Sequence, residues 1–402
     1  MQGAHGCASL SKIEPMKVSH LSLGSDPRRE LAGAVADVGV LVPIAVALIV
    51  KNGLSATAVL LPAGLLYLAV AFVYRLPVPV QPLKAFGAIA IAKGLGSDEI
   101  AAGALLMGAI FLVLGRLGVL DLAARGFPRA LIRGVQLTVG LLFLKIAWTL
   151  VTDPPTSFQE HAVGQSWALP LALLVLVLAF GLRRWPITLA LVGAGAIITV
   201  VLAGDKAELG PSAISLPHLD SGIFWTAFTV LVIPQVPLSF ANSCLATADA
   251  ARVYFGKLGE RVRPGKLATT FGSANLLAGA VSGMPVCHGA GGMTAHYAFG
   301  ARTAAAPAAM GAILLTLALA LGAGLAGLLA AFPLPILAGV LATAGVLHIL
   351  LLRDLSRARD WAVALLVGIV GFELNLTIGL ALGLAVWWLP VGARLLPRLR
   401  TA

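Results

Sequence analysis

The sequence predicts an all-α polytopic membrane protein of about fourteen transmembrane segments, arranged as two inverted repeats of about seven segments each. Three observations support this fold class. Hydrophobic residues make up 59% of the 402 residues and charged residues only 11%, which is more apolar surface than a water-soluble domain can bury. The apolar residues form runs long enough to cross a bilayer. Short motifs of the first half recur in the second half in the same order.

The apolar runs define the segments and the repeats. A helix that crosses roughly 30 Å of hydrocarbon needs about 20 apolar residues, and fewer where it is broken. The first half contains predicted segments at 31–50, 56–74, 77–95, 100–122, 127–150, 167–182 and 186–203. The second half contains predicted segments at 222–248, 266–283, 285–300, 305–330, 333–352, 361–373 and 376–396. We therefore expect a cytosolic tail at 1–30, a first repeat at 31–205 and a second repeat at 206–402.

Basic residues predict the orientation of the chain. Most of the 28 Lys and Arg fall in connections on the same side as both termini, whereas Lys51, Lys93 and Lys206 fall on the opposite side. Because cytosolic loops carry an excess of Lys and Arg, both termini are expected in the cytosol. The polar tail has no apolar stretch of signal-peptide length, so we expect a multi-pass protein of the cytoplasmic (inner) membrane. The net charge of +11 follows from this topology and does not indicate a nucleic-acid partner.

Internal similarity supports the repeat. The string M-G-A-I at Met107 is followed by F-P at Phe127, and the same two strings recur at Met310 and Phe332. G-V-Q-L-T-V-G from Gly134 likewise corresponds to the later string G-V-L-A-T-A-G. Two tandem halves with an odd number of spans insert in opposite orientations, which is typical of secondary transporters.

Two breaks at corresponding positions predict a binding site. The strings R-L-P-V-P-V-Q-P-L-K (75–84) and S-G-M-P-V-C-H-G-A-G-G-M-T (282–294) interrupt segments 3 and 10 with Pro and Gly. Pro removes backbone donors and Gly disfavours helix, so each segment is expected to restart as a half-helix. Two half-helix N-termini that face each other near the bilayer midplane would present free N–H groups and positive dipole ends to an anion.

Several side chains in and near the breaks are candidate site residues. Gln81 and His288 occupy comparable points of the two breaks, and Lys84 adds a positive charge in the first half-helix. A snorkelling role for Lys84 and a structural, hydrogen-bonding role for His288 are the alternatives. Asp37 places a carboxyl group in the first segment, as a proton acceptor or as an ion-pair partner of Lys84. Cys287 lies beside His288, but no further ligand is suitably spaced, so no metal and no cofactor are expected.

Segment 8 is unusually polar between Pro234 and Asp249. Neutral donors there could complete an oxyanion shell or simply connect helices; they are Gln235, Ser239, Asn242, Ser243 and Thr247. The charged stretch at 353–360 is expected to be a solvated cytosolic loop.

The motifs at these positions resemble a known family. P-V-P-V-Q-P-L-K-A, F-A-N-S-C-L-A-T-A and P-V-C-H-G-A-G-G-M-T-A-H-Y-A-F-G-A-R-T are similar to the molybdate transporter family, a branch of the sulfate permease superfamily. The resemblance implies fourteen spans, with a core of spans 1–4 and 8–11, a gate of spans 5–7 and 12–14, and uptake of molybdate. Leu83 departs from the family's usual Q-P-M-K. The chain ends soon after its last predicted span, as expected for a branch without a cytosolic regulatory domain.

The resemblance also implies the site. Its anion-binding regions correspond to eight positions of this chain, namely Gln81, Lys84, Ser239, Asn242, His288, Gly289, Gly291 and Gly292. Asp37 matches the acidic position of the family's first-span motif, which makes it the candidate for coupling.

Rival functions remain at this point. Sulfate and tungstate are dianions of the same shape as molybdate, so the sequence does not separate them. A bicarbonate or nucleobase carrier and an anion channel are less favoured alternatives. No catalytic serine, paired-aspartate or metal motif has the spacing of a membrane enzyme, so we expect no enzymatic activity. Proton coupling through Asp37 or His288, and a homodimer, stay open.

Overall fold

The computed structural model describes residues 26–183 and 185–399, so most of the predicted tail at 1–30 lies outside the described residues. Each predicted segment contains at least one helix. The helices of the first half are α1 (Pro27–Ala34), α2 (Val38–Asn52), α3 (Ala56–Tyr74), α4 (Lys84–Lys93), α5 (Ser97–Arg116), α6 (Val119–Arg125), α7 (Arg129–Thr152), α8 (Gln165–Gly181) and α9 (Ile187–Ala203).

The second half differs from the first at its start, where segment 8 contains three short helices. Its helices are α10 (Ser221–Ala227), α11 (Ile233–Leu238), α12 (Thr247–Phe255), α13 (Pro264–Ala280), α14 (Ala290–Ala298), α15 (Ala305–Ala320), α16 (Leu325–Ala330), α17 (Leu334–Ile349), α18 (Ala358–Glu373) and α19 (Leu376–Leu399). Two π-helical stretches, Phe228–Val232 and Ser239–Ala246, keep segment 8 continuous from α10 to α12.

Seven stretches of the described chain are long and apolar enough to cross a membrane, and three shorter helices are also apolar. Many large apolar side chains point outward. Phe72, Val201 and Trp225 are 80%, 78% and 68% exposed, for example. Such a surface is unfavourable in water and favourable in hydrocarbon, which confirms the predicted all-α polytopic membrane class.

Both predicted breaks are present. Helix α3 ends where Arg75 takes a φ of 55°, and the chain beyond α13 turns where Ser282 takes a φ of 49°. An extended stretch follows each turn and contains a two-residue strand, β1 (Gln81–Pro82) or β2 (Val286–Cys287). The helices that then begin, α4 and α14, have ten and nine residues, about 15 Å each at 1.5 Å per residue. They are half-helices, too short to cross a bilayer.

The helix contacts fall into two groups. In the first group α5 packs on α13, and α3 packs on both α13 and α15. In the second group α17 packs on α7 and α8, and α18 packs on α7 and α19. The first group lies in predicted segments 1–4 and 8–11, and the second in segments 5–7 and 12–14. Smaller contacts join the groups, chiefly those of α17 with α14 and of α7 with the π-helical stretch Ser239–Ala246.

Candidate functional site

The two breaks meet through a short antiparallel bridge. Gln81 pairs with Cys287, and Pro82 pairs with Val286. The backbone N–H of Leu83 donates to the carbonyl of Pro285 at 3.1 Å. Strands β1 and β2 lead directly into α4 and α14, so the bridge places the first turns of both half-helices side by side. We call β1, β2 and these two first turns the half-helix junction.

Asn275 of α13 reinforces the bridge from the other edge of β2. Its Nδ2 donates to the carbonyl of Val286 at 2.8 Å, and its Oδ1 accepts from the N–H of Val286 at 2.7 Å. The side chain is fully buried and bonds as a neighbouring strand would. Since a two-residue bridge is weak alone, this amide stabilises the backbone of the second break.

A chain of buried and half-buried polar side chains runs through the junction. Lys84 donates from Nζ to Oε1 of Gln81 at 2.6 Å, and Gln81 donates from Nε2 to Oδ1 of Asp37 at 2.6 Å. Tyr67 donates to Oδ2 of Asp37 at 3.2 Å. Asp37, 2% exposed, closes a short 3₁₀ turn that interrupts segment 1 between α1 and α2. The structure therefore brings three of the predicted residues together, with Gln81 between the carboxylate and the ammonium group.

The glycines of the second break allow this close approach. A Cβ atom on Gly289 would overlap Oε1 of Gln81. A Cβ atom on Gly292 would lie 2.6 Å from Nε2 of Gln81 and 2.7 Å from the carboxylate oxygens of Asp37. On Gly291 it would lie 2.6 Å from the ring of Phe143. The glycine run therefore lets side chains from three other helical segments touch the first turn of α14.

Segment 8 caps the other half-helix. Oε1 of Gln235 accepts from the N–H of Phe86 at 2.8 Å, in the first turn of α4. Nε2 of Gln235 donates to Ser239 at 2.9 Å. Ser239 therefore binds the side chain of Gln235, which in turn contacts the half-helix α4. Asn242 is 2% exposed, and its Oδ1 has no hydrogen-bond partner among the described residues.

His288 braces the two breaks. Its Nδ1 lies 2.8 Å from the carbonyl of Pro79, and its Nε2 lies 2.8 Å from Oγ1 of Thr270. Both ring nitrogens are therefore engaged in this conformation, and none is left for an anion. Of the two roles predicted for His288, the geometry favours the hydrogen-bonding brace over the direct ligand.

His296, which was not among the predicted site residues, belongs to the cluster around Asp37. Its Nε2 lies 3.1 Å from Oδ2 of Asp37, and its ring stacks on Tyr67. The side chain is fully buried, and neither ring nitrogen makes a complete hydrogen bond within the described residues. Residues 292 and 296 share one face of α14, four positions apart. This spacing, together with an acidic residue in segment 1, was a signal that could have identified His296.

An ion-pair cluster around Arg133, in the second turn of α7, joins the two helix groups. The fully buried guanidinium of Arg133 donates to Asp249 of α12, to Asp354 after α17 and to Oε1 of Gln136, the last at 2.7 Å. Arg129 also contacts Asp354, at 2.6 Å. The side chain of Asp354 remains 30% exposed in this cluster, and most of the stretch 353–360 is exposed, as predicted.

The architecture agrees with that of solved anion-transporter membrane domains. The transmembrane domain of a cyanobacterium bicarbonate transporter, BicA, aligns with a TM-score of 0.55 and 19% identity, covering 88% of this chain and 96% of that chain. Murine Slc26a9, described as an anion transporter in the inward-facing state, aligns with a TM-score of 0.59 and 16% identity, covering 91% of this chain and 68% of that one. The chain thus has the transmembrane fold of these transporters.

Sequence similarity identifies the family. A family model described as "Molybdate transporter of MFS superfamily" matches residues 29–143 and 227–347, more than half of the chain, and the chain belongs to this family. "Molybdate transporter 1" of Arabidopsis thaliana is 29% identical over 394 residues, covering 88% of this chain and 86% of that protein. "Molybdate transporter 1" of Chlamydomonas reinhardtii is 26% identical over 458 residues, covering 87% and 88%. The resemblance seen in the motifs is confirmed, and the chain is a multi-pass membrane anion transporter, not an enzyme.

Proposed function

We propose that this protein takes up molybdate across the cytoplasmic membrane as a secondary transporter, and that the anion binds at the half-helix junction. The observation that carries the proposal is the β1–β2 bridge, which sets two half-helix N-termini beside a half-buried Lys84. Free N–H groups, aligned helix dipoles and an ammonium group together favour an oxyanion. The names of the related plant and algal proteins favour molybdate among the oxyanions.

Within this site we assign a role to each predicted residue. Lys84 and the first-turn N–H groups at Gly291 and Gly292 contact the anion. Gln81 orients Lys84 through its Oε1 atom, and Gly289 leaves room for Gln81.

Three further residues act around the anion. Ser239 holds Gln235, which caps α4. Asn242 turns its amide nitrogen toward the anion, because its Oδ1 has no hydrogen bond within the described residues that such a rotation would break. His288 positions both breaks rather than touching the anion.

Proton coupling follows from the charge next to the site. An ionised Asp37 beside Gln81 repels a dianion, and the repulsion is strong in a poorly solvated site. A proton on the pair formed by Asp37 and His296 removes that negative charge. The titratable or charged groups that face this pair are Tyr67, directly, and Lys84, through Gln81. We therefore propose that a proton enters with the dianion. In this proposal His296 takes the part in proton coupling that was predicted for His288.

The two helix groups are proposed to be the core and the gate of the transporter. In the predicted repeat, each segment of the first half corresponds to the segment seven places later. Under this exchange the packed pair α3–α15 becomes α13–α5, and the pair α7–α18 becomes α17–α8. All four pairs are packed in the structure, which supports the inverted repeat. The half-helix junction belongs to the first group, and the second group covers it through α7 and α17. Movement of one group against the other would expose the junction to alternate sides of the membrane.

Uptake of labelled molybdate into proteoliposomes tests the proposal. We expect saturable uptake that tungstate inhibits strongly and that an equal concentration of sulfate inhibits weakly. Saturable sulfate uptake with no molybdate uptake would transfer the assignment to sulfate. Large anion currents without saturation would indicate a channel. Empty liposomes provide the background, and an acid-outside pH gradient should accelerate uptake if a proton is co-transported.

A further inference from the structure

Phe143 of α7 is wedged into the half-helix junction from the second helix group. Two of its ring carbons approach Gly291 so closely that a Cβ atom there would lie 2.6 and 2.8 Å from them. The centroid of the same ring lies 5.5 Å from Nζ of Lys84. On its other side, Cβ of Phe143 would lie 3.1 Å from a Cβ atom on Gly345 of α17. The side chain is 1% exposed.

The face of the Phe143 ring is directed at the ammonium group of Lys84. Lys84 is half-buried, and an ammonium ion partly withdrawn from water is costly unless it is paired. Among the described residues, the recorded partners of Lys84 are the neutral Oε1 of Gln81 and the face of Phe143; no carboxylate lies within ion-pair distance of it there. The face of an aromatic ring is electronegative and attracts such a cation. In this conformation an uncharged aromatic ring occupies the place next to Lys84 where an anion would be attracted.

We propose that Phe143 is the lid of the anion site and takes the anion's place when the site is empty. The proposal rests on the anion site described above. An anion that reaches both Lys84 and the first turn of α14 has to displace the ring, and the ring returns when the anion leaves. Because Phe143 belongs to α7, its departure and return are linked to movement of the second helix group against the junction.

The lid has two measurable consequences. It competes with the anion, so a variant without an aromatic face should bind the anion more tightly. It also stabilises the empty closed state, through which a carrier must pass to return without cargo. Net uptake requires the carrier to return empty, so loss of the ring should slow net uptake. In exchange the carrier returns with an anion bound, so loss of the ring should leave exchange unchanged. The strength of a partly desolvated cation–π contact corresponds to roughly a threefold to tenfold effect.

The test compares Phe143→Leu with Val139→Ala in proteoliposomes and in detergent. Val139 is one turn earlier on α7, and its side chain also approaches Gly291, at 3.4 Å from a Cβ placed there, but it has no aromatic face. For Phe143→Leu we expect net uptake of molybdate to fall about threefold to tenfold. Exchange of external for preloaded molybdate should stay close to wild type. The dissociation constant for molybdate in detergent should be lower than that of the wild type. For Val139→Ala we expect net uptake and exchange to keep their wild-type ratio.

Three outcomes overturn the lid: equal losses of exchange and net uptake with unchanged binding, no change in any measurement, or the same altered ratio in Val139→Ala. Phe143→Met carries the same expectation should Phe143→Leu not fold, and Phe143→Tyr should restore the wild-type ratio. If the wild-type protein transports sulfate and not molybdate, the proposed substrate fails, and the ratio is measured with sulfate instead.

Discussion

The Nε2 atom of His296 lies 3.1 Å from Oδ2 of Asp37, and both side chains are buried. The pair joins segment 1 to the second half-helix, on the same carboxylate that accepts from Gln81. A single proton on this pair changes the charge beside the junction by one unit. The proposed proton coupling therefore predicts that transport depends on pH through this contact.

Replacing the acid of this pair should flatten the pH profile. Protonation removes a negative charge from the site, so wild-type uptake of the dianion should fall as the pH rises and the pair loses its proton. Asp37→Asn is permanently neutral and should lose most of this dependence. His296→Gln should shift the profile, because Asp37 then lacks its titratable partner. Initial rates in vesicles of matched internal and external pH test this, and an unchanged profile in both variants would contradict it.

Lys84 is expected to supply much of the anion affinity. A charge-assisted hydrogen bond lost from a buried site costs about 1.5–3 kcal/mol, so Lys84→Ala should raise the half-saturation concentration for molybdate at least about tenfold. Lys145→Ala is the matched control, since Lys145 of α7 also lies 5.5 Å from a ring centroid, that of Phe372, on an exposed face. Equal effects of the two substitutions would remove Lys84 from the site.

The glycines of α14 provide a test of the packing. In Gly292→Ala the new methyl group would overlap Gln81 and Asp37, so transport should fall severely while the helix itself tolerates alanine. Gly193→Ala in α9 is the control, because nothing lies within 4 Å of a Cβ atom there, and it should be neutral or slightly stabilising. Normal uptake by Gly292→Ala would mean that the side chains at the junction are arranged differently.

Arg133 is expected to matter for stability more than its neighbour. Arg133→Met leaves the carboxylates of Asp249 and Asp354, 16% and 30% exposed, without their buried partner, and loss of such a partner costs about 1–3 kcal/mol. Arg129→Gln removes an exposed partner of Asp354 and should cost no more than about 1 kcal/mol. Thermal unfolding in detergent measures both. Similar midpoints for the two variants would show that Arg133 does not anchor the cluster.

The sequence predicted those parts of the site that depend on local chemistry. Pro77, Pro79 and Pro82 cannot donate in a helix, and the Gly run before Met293 opposes helix, so both breaks and both half-helices were predictable. Their meeting was predictable as well, because equivalent breaks in two repeats face each other at the repeat interface.

Contacts between distant segments could not be read in this way. Gln235 caps α4 from segment 8, and Asn275 bonds β2 from α13, although each looks like one more polar residue in an apolar helix. For His288 the sequence left a ligand and a brace as alternatives, and only the positions of Pro79 and Thr270 distinguish them. His296 and Phe143 were missed because their significance comes from what they touch in other helices.

The bridge between β1 and β2, in which Gln81 pairs with the distant Cys287, has a consequence for biosynthesis. Until the ribosome has delivered the later strand, the extended stretch before α4 has no backbone partner, and unpaired peptide groups are strongly disfavoured in hydrocarbon. The nascent first half must therefore wait in a hydrated or protein-lined environment such as the insertion machinery. A chain truncated before β2 should be recognised as unassembled and degraded.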